Sequence, residues 1–375
     1  MENKTLVLQM CQNDPWFVWL NGKLQLKPAK IALGIAILSC AALWTELSLA
    51  GLPVSESVPL VSFQAFVIFP LCVVLYFAVP DFLAKPFMIL EQSNSIGESL
   101  DHEVGPYSQF REKMISSMGN FAWMGLAVFT ILYYWYYRLF TNVPSDPSQL
   151  LPEGIRTGMR IVLLLIYTPL LYMGVLTLGR IFVGIPFIGR FFRSFKIQIN
   201  PLSPDGAGGI GFVGQMLVTS ALIATAFGVA ATGLVYINLA AGNKPLGRME
   251  IIILGLVYLV LTPFLFYSLL WSPHRALIKA REDALKPLAE EYQQVSMQDI
   301  HSKKKNVDAI KSKTDHLIEI KRQYQLIEET FPVWPLDIRS LRSLLATSVL
   351  PAVSTLFSGF ISDLWKSLVE VLNKR

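Results

Sequence analysis

Charged residues are scarce in this sequence. Asp, Glu, Lys and Arg together make up 16% of the 375 residues, whereas apolar residues make up 53%. The shortage is sharpest in six runs, each long enough for the roughly 20-residue helix that crosses a bilayer, at residues 31–52, 60–79, 121–140, 159–178, 211–241 and 251–270. Soluble cores do not contain apolar runs of this length, so the composition predicts an integral membrane protein.

The six runs also lack the alternation of polar and apolar residues that is typical of membrane β-strands. Backbone groups find no water in the hydrocarbon core, so these runs must satisfy their hydrogen bonds internally, as helices. We therefore predict an all-α membrane protein with a six-helix transmembrane bundle over residues 31–271. Residues 1–30 lack the apolar core and cleavage site of a signal peptide, so the first helix is expected to remain in the protein.

Motifs for metals, cofactors and catalysis are missing as well. Cys11, Cys40 and Cys72 form no CxxC pair, and the four histidines show no HExxH or paired-ligand spacing. No GxSxG elbow or pair of intramembrane acids occurs, so we predict no catalytic residue, metal or cofactor. The basic residues are dispersed despite a net charge of +5, so nucleic acid is not expected as a partner.

Basic residues between the runs predict the orientation, because cytoplasmic loops are enriched in Lys and Arg. They lie in the amino-terminal arm, in a predicted basic loop over residues 180–205 and after the sixth run, as Lys23, Lys27, Lys30, Arg180, Arg190, Arg193, Lys196, Arg275, Lys279 and Arg281. The loop at residues 53–59 contains none. We predict that both termini and the long loop 81–117 are cytoplasmic, in an inner (plasma) membrane of the bacterial type.

Ionisable side chains inside a span are expensive to bury and are therefore candidate functional residues. Glu46, near the outer end of the first span, and Arg138, at a comparable depth on the third, form a candidate intramembrane polar pair. Exposure of both at the membrane interface explains them equally well. The shortage of other buried carboxylates argues against a proton-coupled carrier but does not exclude a channel.

A glycine-rich string precedes the fifth span, and its candidate residues are Asp205, Gly206, Gly208, Gly209 and Gly211. Glycines at a helix start can direct backbone amides at an anion, but the lysine of a phosphate loop is absent. The favoured interpretation is structural, with Ser203 or Asp205 capping the helix and the glycines allowing close packing. The small residues of the fifth span predict the central packing helix of the bundle, with a pore lining as the alternative.

The amino-terminal arm, residues 1–30, contains a candidate β-hairpin. Apolar residues flank Asn21 and Gly22, a pair that favours a two-residue hairpin turn. Residues 196–199 resemble one of these strands and supply a third, because two strands alone are marginal in water. A small cytoplasmic β-sheet is therefore expected to join the two segments.

Residues 272–330 are polar with helical spacing of apolar positions, which predicts a cytoplasmic antiparallel helical hairpin or coiled coil. The hairpin is the predicted contact for a protein partner or a second copy of the chain. Residues 331–375 form an amphipathic carboxy-terminal segment, and whether residues 341–372 cross the membrane or lie on it stays open.

Two functions are consistent with this organisation. The first is a scaffold, sensor or effector acting through the cytoplasmic helical region, with the lipid bilayer as the permanent environment. The second is a channel or transporter whose path is lined by the fifth span and by spans two, four and six, which carry Pro70, Pro169 and Pro263, each followed by a tyrosine at Tyr76, Tyr172 and Tyr267. A membrane enzyme is the least favoured class, since no reaction can be assigned.

Overall fold

The computed structural model describes the backbone of residues 2–23, 27–49, 64–93, 95–100, 105–140, 151–199, 203, 207–240, 248–297, 307–331, 333–334 and 342. Several sequence-based predictions lie outside these residues. They are the loop 53–59, the residues Asp205 and Gly206, and all but one residue of the amphipathic segment 341–372.

The described chain is mostly helical. The helices are α1 (Glu2–Met10), α2 (Pro15–Phe17), α3 (Pro28–Leu49), α4 (Phe69–Gln92), α5 (Tyr107–Met118), α6 (Phe121–Phe140), α7 (Glu153–Ser194), α8 (Phe212–Ala240), α9 (Arg248–Met297) and α10 (Val307–Thr330). Two π-helical segments, Val18–Lys23 and Gln64–Ile68, and two strands, β1 (Ile96–Ser99) and β2 (Phe195–Ile197), complete the described elements.

Four helical segments are long and apolar enough to cross a membrane: Pro28–Leu49, Gln64–Gln92, Tyr107–Tyr136 and Glu153–Ser194. Their outward-facing side chains agree with this, since Leu33 and Leu165 are both 60% exposed and Phe129 is 67% exposed. We use the term lipid-facing band for the exposed apolar side chains of α3, α6 and α7, namely Leu33, Ile37, Leu38, Leu126, Phe129, Leu132, Ile161, Val162 and Leu165. The prediction of a helical membrane protein is thereby confirmed in its coarse form.

Helix α7 lies at the centre of this arrangement, because it packs against α3, α4, α5, α6 and α9. Its glycines permit the close approach of two neighbours. A Cβ on Gly179 would lie 2.5 Å from the ring of Trp123 in α6, and one on Gly184 would lie 2.6 Å from Leu83 in α4. The central position expected for the small-residue fifth span, now α8, is therefore taken by α7 among the described elements.

The described part of the amino-terminal arm is helical around Asn21 and Gly22, so the β-hairpin predicted there is wrong. Asp14 caps α2, and the Asn-Gly pair lies within the π-helical segment Val18–Lys23. Phe17 and Leu20 are buried against the bundle. Helical spacing directs both side chains to one face, and this tertiary burial outweighs the local preference for a turn.

The expected small sheet exists with a different partner strand. Strand β2 matches the predicted strand near residue 196, but it pairs antiparallel with β1, with Ile96 opposite Ile197 and Ser99 opposite Phe195. A Cβ on Gly97 would lie 2.7 Å from the Lys196 carbonyl oxygen, so a side chain at this position would obstruct the pairing. The partner strand thus comes from the predicted loop 81–117 and not from the arm.

The prediction of a basic loop over residues 180–205 is wrong for its first half. Helix α7 continues to Ser194, and Arg180 is a buried helical residue. The predicted loop 81–117 likewise contains the end of α4, β1 and α5. A charged residue such as Arg180 suggests an exposed loop unless a partner for it is visible. The partner of Arg180 lies far away in sequence, so the local pattern did not reveal it.

Helix α9 runs without a break from the sixth apolar run into the polar region, a length of roughly 75 Å at the rise of an α-helix. Helix α10 packs antiparallel against its second half. Arg281 lies 3.2 Å from Glu328, and Glu291 lies 3.3 Å from His316, which sets this direction. Two helices therefore pack antiparallel within residues 272–330, and α9 does not break at residue 272. The cytoplasmic location and the coiled coil predicted for this region stay predictions.

Candidate functional site

A buried aspartate is brought to the bundle by the amino-terminal arm. Helix α1 packs against α4 and α5 and buries Leu6, Val7 and Met10. The chain then turns, and Asp14 takes an extended conformation in which its Oδ1 accepts a hydrogen bond from the Phe17 amide at 3.2 Å. An aspartate capping a helix in this way fixes its own carboxylate in place.

Arg180 of α7 forms an ion pair with Asp14. The side chains of the two residues are only 6% and 5% exposed. The Arg180 guanidinium carbon also lies 5.4 Å from the ring centre of Phe17 and 5.0 Å from that of Tyr76, within the range of cation–π attraction. The rings of Phe17 and Tyr76 therefore help to shield the ion pair from solvent.

Two tyrosine hydroxyls complete the coordination of the Asp14 carboxylate. The Tyr76 hydroxyl of α4 donates to Oδ2 at 2.6 Å, and the Tyr172 hydroxyl of α7 donates to Oδ1 at 3.1 Å. Arg180 donates to Oδ2 and the Phe17 amide to Oδ1. Each oxygen thus receives two donors, which matches the acceptor capacity of a carboxylate.

This arrangement suits a structural lock better than a reactive centre. Burying a charge is costly unless it is paired and hydrogen-bonded, and the Asp14 carboxylate meets both conditions. The four donors come from the arm, α4 and α7, so one carboxylate ties three parts of the chain together. A catalytic acid or base would need to exchange a proton with a substrate. Here all four donors point at the Asp14 carboxylate instead.

A small cavity of about 10 Å³ adjoins the ion pair, lined in part by Asn13, Asn120 and Trp123. This volume is close to the minimum for one water molecule and far below that of a cofactor site. The Asn13 amide donates to the Gly119 carbonyl oxygen at 2.8 Å, which links the arm to the loop between α5 and α6. Among the described residues, His, Cys, Asp and Glu form no cluster of three or more suited to a metal.

Cys11 also borders this cavity and is buried. Removal of the thiol from water raises the pKa of Cys11 to about 12, and the charge of Arg180 offsets only part of that increase. The group therefore stays a neutral thiol near pH 7. It serves as apolar packing and not as a nucleophile.

The residues singled out from the sequence lie elsewhere. Glu46 is buried on α3, but the side chain of Arg138 lies outside the described residues, so their pairing stays a prediction. Gly208 and Gly209 have φ angles of 70° and 90° in the turn before α8. Only glycine adopts such angles readily, so the turn favours glycine at both positions. The capping by Ser203 or Asp205 and the close packing by the glycines stay predictions.

The ion pair was missed because Asp14 and Arg180 lie 166 residues apart and neither belongs to a recognisable motif. Two signals pointed to it. Asp14 is the only acidic residue between Glu2 and Glu46, and Arg180 interrupts an apolar stretch that continues on both of its sides. Tyr76 and Tyr172 were noted for following prolines, and the structure brings them together on Asp14, whereas Tyr267 is 63% exposed.

Similarity to known proteins offers no guide to the role of this site. No protein-family model matches the chain, and comparison with curated proteins and with solved structures gives no match either.

Proposed function

We propose that this protein is a multi-pass membrane scaffold that presents the hairpin of α9 and α10 to a protein partner in the cytoplasm. The observation that carries the proposal is the continuity of α9, which is one helix from the apolar run to the end of the polar hairpin arm. A continuous helix transmits position and orientation, so a partner bound to the hairpin is held in a fixed relation to the bundle.

The proposed topology has six spans in an inner (plasma) membrane with both termini inside. Four membrane-compatible segments support it directly, and α8 and the first half of α9 occupy the fifth and sixth apolar runs. The basic residues after the sixth run, such as Arg275 and Lys279, favour the cytoplasmic side for the hairpin.

The outer face of α10 supports the role of a contact surface. Ile320 is buried, and Leu317 and Tyr324 on the same side of α10 are half-buried, as expected for the face that packs against α9. Ile318 and Leu326 lie on the opposite face, and they are 59% and 57% exposed. Ile318 and Leu326 are therefore the two large apolar side chains on this face that a bound partner would cover.

Photo-crosslinking in intact cells tests the proposal. We would place a benzophenone amino acid at Ile318 or Leu326, with the exposed Glu282 on α9 as the matched control. The expected result is one defined heteromeric product from the two α10 positions, absent from the control and lost when the other apolar residue is changed to Asp. A product containing only this chain would replace the partner by a second copy, and no product at either position would overturn the contact surface.

The channel or transporter hypothesis keeps one supporting observation. Helix α8 buries the small residues Ala221, Ala224 and Gly228. A path along this helix predicts ion or solute flux in vesicles containing the purified protein, and loss of that flux in Gly228→Leu. Flux that is lost in Gly228→Leu would favour the transport hypothesis over the scaffold. Correctly inserted protein that shows no flux would contradict the transport hypothesis.

A further inference from the structure

The segment from Asp14 to Leu20 has two distinct faces. Phe17 is 1% exposed and packs beside the ion pair, whereas Trp16 and Trp19 are 40% and 47% exposed. The two indole rings meet edge to face, with centroids 6.0 Å apart. Because Asp14 and Phe17 fix the inner face, the outward direction of the tryptophans is a fixed feature of the fold.

The arm lies level with one end of the lipid-facing band. Asn13 is hydrogen-bonded to Gly119, two residues before α6 begins at the exposed Phe121. On α4, the partner Tyr76 lies just over one turn before Asp81, an exposed carboxylate. Exposed apolar side chains of α6 thus begin close to the arm, and a charged side chain is exposed on α4 just over one turn from Tyr76. Such a change from apolar to charged surface is expected where hydrocarbon meets headgroups.

Basic residues follow the tryptophans along the chain. Lys27 and Lys30 are exposed, and Ile31 begins the apolar run of α3 directly after them. Tryptophan prefers the headgroup level of a bilayer, and lysine at a span end is attracted to anionic lipid.

We propose that Trp16, Trp19, Lys27 and Lys30 form a contact surface for an anionic phospholipid headgroup layer. The indole rings insert at the level of the headgroups, and the two ammonium groups pair with lipid phosphates. The ion pair of Asp14 and Arg180 holds this surface against the bundle. The proposal concerns the lipid contact of the arm and does not depend on the binding partner of the hairpin.

Site-directed spin labelling of the full-length protein measures the depth of this surface. The native cysteines are replaced by alanine, and single cysteines are introduced by Trp16→Cys or Trp19→Cys for labelling in vesicles of phosphatidylcholine and phosphatidylglycerol. Leu33→Cys provides the hydrocarbon reference and Glu290→Cys the aqueous one. Gln12→Cys is the matched control on the arm, because Gln12 lines a polar cleft with Arg111 and Glu112.

The ratio of collision with oxygen to collision with a nickel chelate reports depth. We expect labels at positions 16 and 19 to give ratios between the two references, and the label at position 12 to match Glu290→Cys. In phosphatidylcholine alone, or with Lys27→Gln and Lys30→Gln, the ratio at positions 16 and 19 should fall. Ratios equal to the aqueous reference at both positions would overturn the lipid contact, and ratios insensitive to lipid charge and to the lysine changes would overturn the anionic preference.

Discussion

Arg180, near the middle of α7, is paired in the interior with Asp14, which precedes it by 166 residues. The contact joins the residue that caps α2, in the amino-terminal arm, to the central helix of the bundle. The tyrosines Tyr76 and Tyr172 add donors from α4 and α7. The amino-terminal arm is therefore an integral part of the fold, and the following predictions test how much stability depends on it.

Removal of either charge should destabilise the protein strongly, since the other is then left buried without a partner. We expect Asp14→Ala and Arg180→Ala each to lower the free energy of unfolding by about 3 to 5 kcal/mol. Denaturant unfolding in detergent measures this, with the exposed Arg190→Ala as a control expected to change stability by less than about 0.5 kcal/mol. The double variant should lose less than the sum of the single losses, and strict additivity would show that the two residues are not coupled.

The two tyrosine hydroxyls should contribute unequally. Tyr76 donates to Asp14 at 2.6 Å and Tyr172 at 3.1 Å, so the shorter hydrogen bond is expected to be the stronger. Tyr76→Phe should cost about 1.5 to 3 kcal/mol, the range for hydrogen bonds to charged groups, and Tyr172→Phe less. The exposed Tyr267→Phe is the matched control. Equal effects at all three positions in thermal unfolding would contradict a specific role for the Asp14 contacts.

Two glycines of α7 should respond in opposite directions to the same change. A Cβ on Gly179 would lie 2.5 Å from the Trp123 ring, whereas a Cβ on Gly174 meets nothing within 4 Å. Gly179→Ala is expected to destabilise by about 1 to 3 kcal/mol through overpacking. Gly174→Ala should stabilise by up to about 1 kcal/mol, because alanine favours the helix. The order of the two melting temperatures checks the close packing of α6 on α7.

Cys11 should report whether the arm is docked. Its thiol has a pKa of about 12, raised by burial, so its rate of maleimide labelling should keep rising tenfold per pH unit above pH 9. An exposed thiol introduced by Gln12→Cys, with Cys11 replaced by Ala, should level off near the usual pKa of about 8.5. Both proteins carry alanine in place of Cys40 and Cys72.

The same labelling in Arg180→Ala should be faster at pH 8, because loss of the ion pair increases local opening of the arm. An unchanged rate in that variant, together with normal folding, would mean that the ion pair does not hold the arm. The measurement thus separates local docking from global stability.

The sequence predicted the helical membrane class and the first four apolar spans because these depend on local composition. A run of apolar residues such as 121–140 identifies a lipid-exposed helix without knowledge of its neighbours. The approximate position of β2 and the helices within residues 272–330 were also predictable, since alternation and helical spacing are local patterns.

The arm shows where local pattern is insufficient. Asn21 and Gly22 favour a hairpin turn by themselves, yet the segment is helical because Phe17 and Leu20 gain burial on the same face. Strand β2 pairs with β1 and not with the arm, and this pairing depends on the space that Gly97 leaves beside Lys196.

The sequence by itself determined that this chain forms long apolar helices and places its polar hairpin after the last of them, since these features follow from the order of residues along short segments. Only the tertiary structure decided that Asp14, Tyr76, Tyr172 and Arg180 meet at one carboxylate. The physical reason is that a buried charge is tolerated only beside its partners, and partners from separate helices become neighbours only when those helices pack.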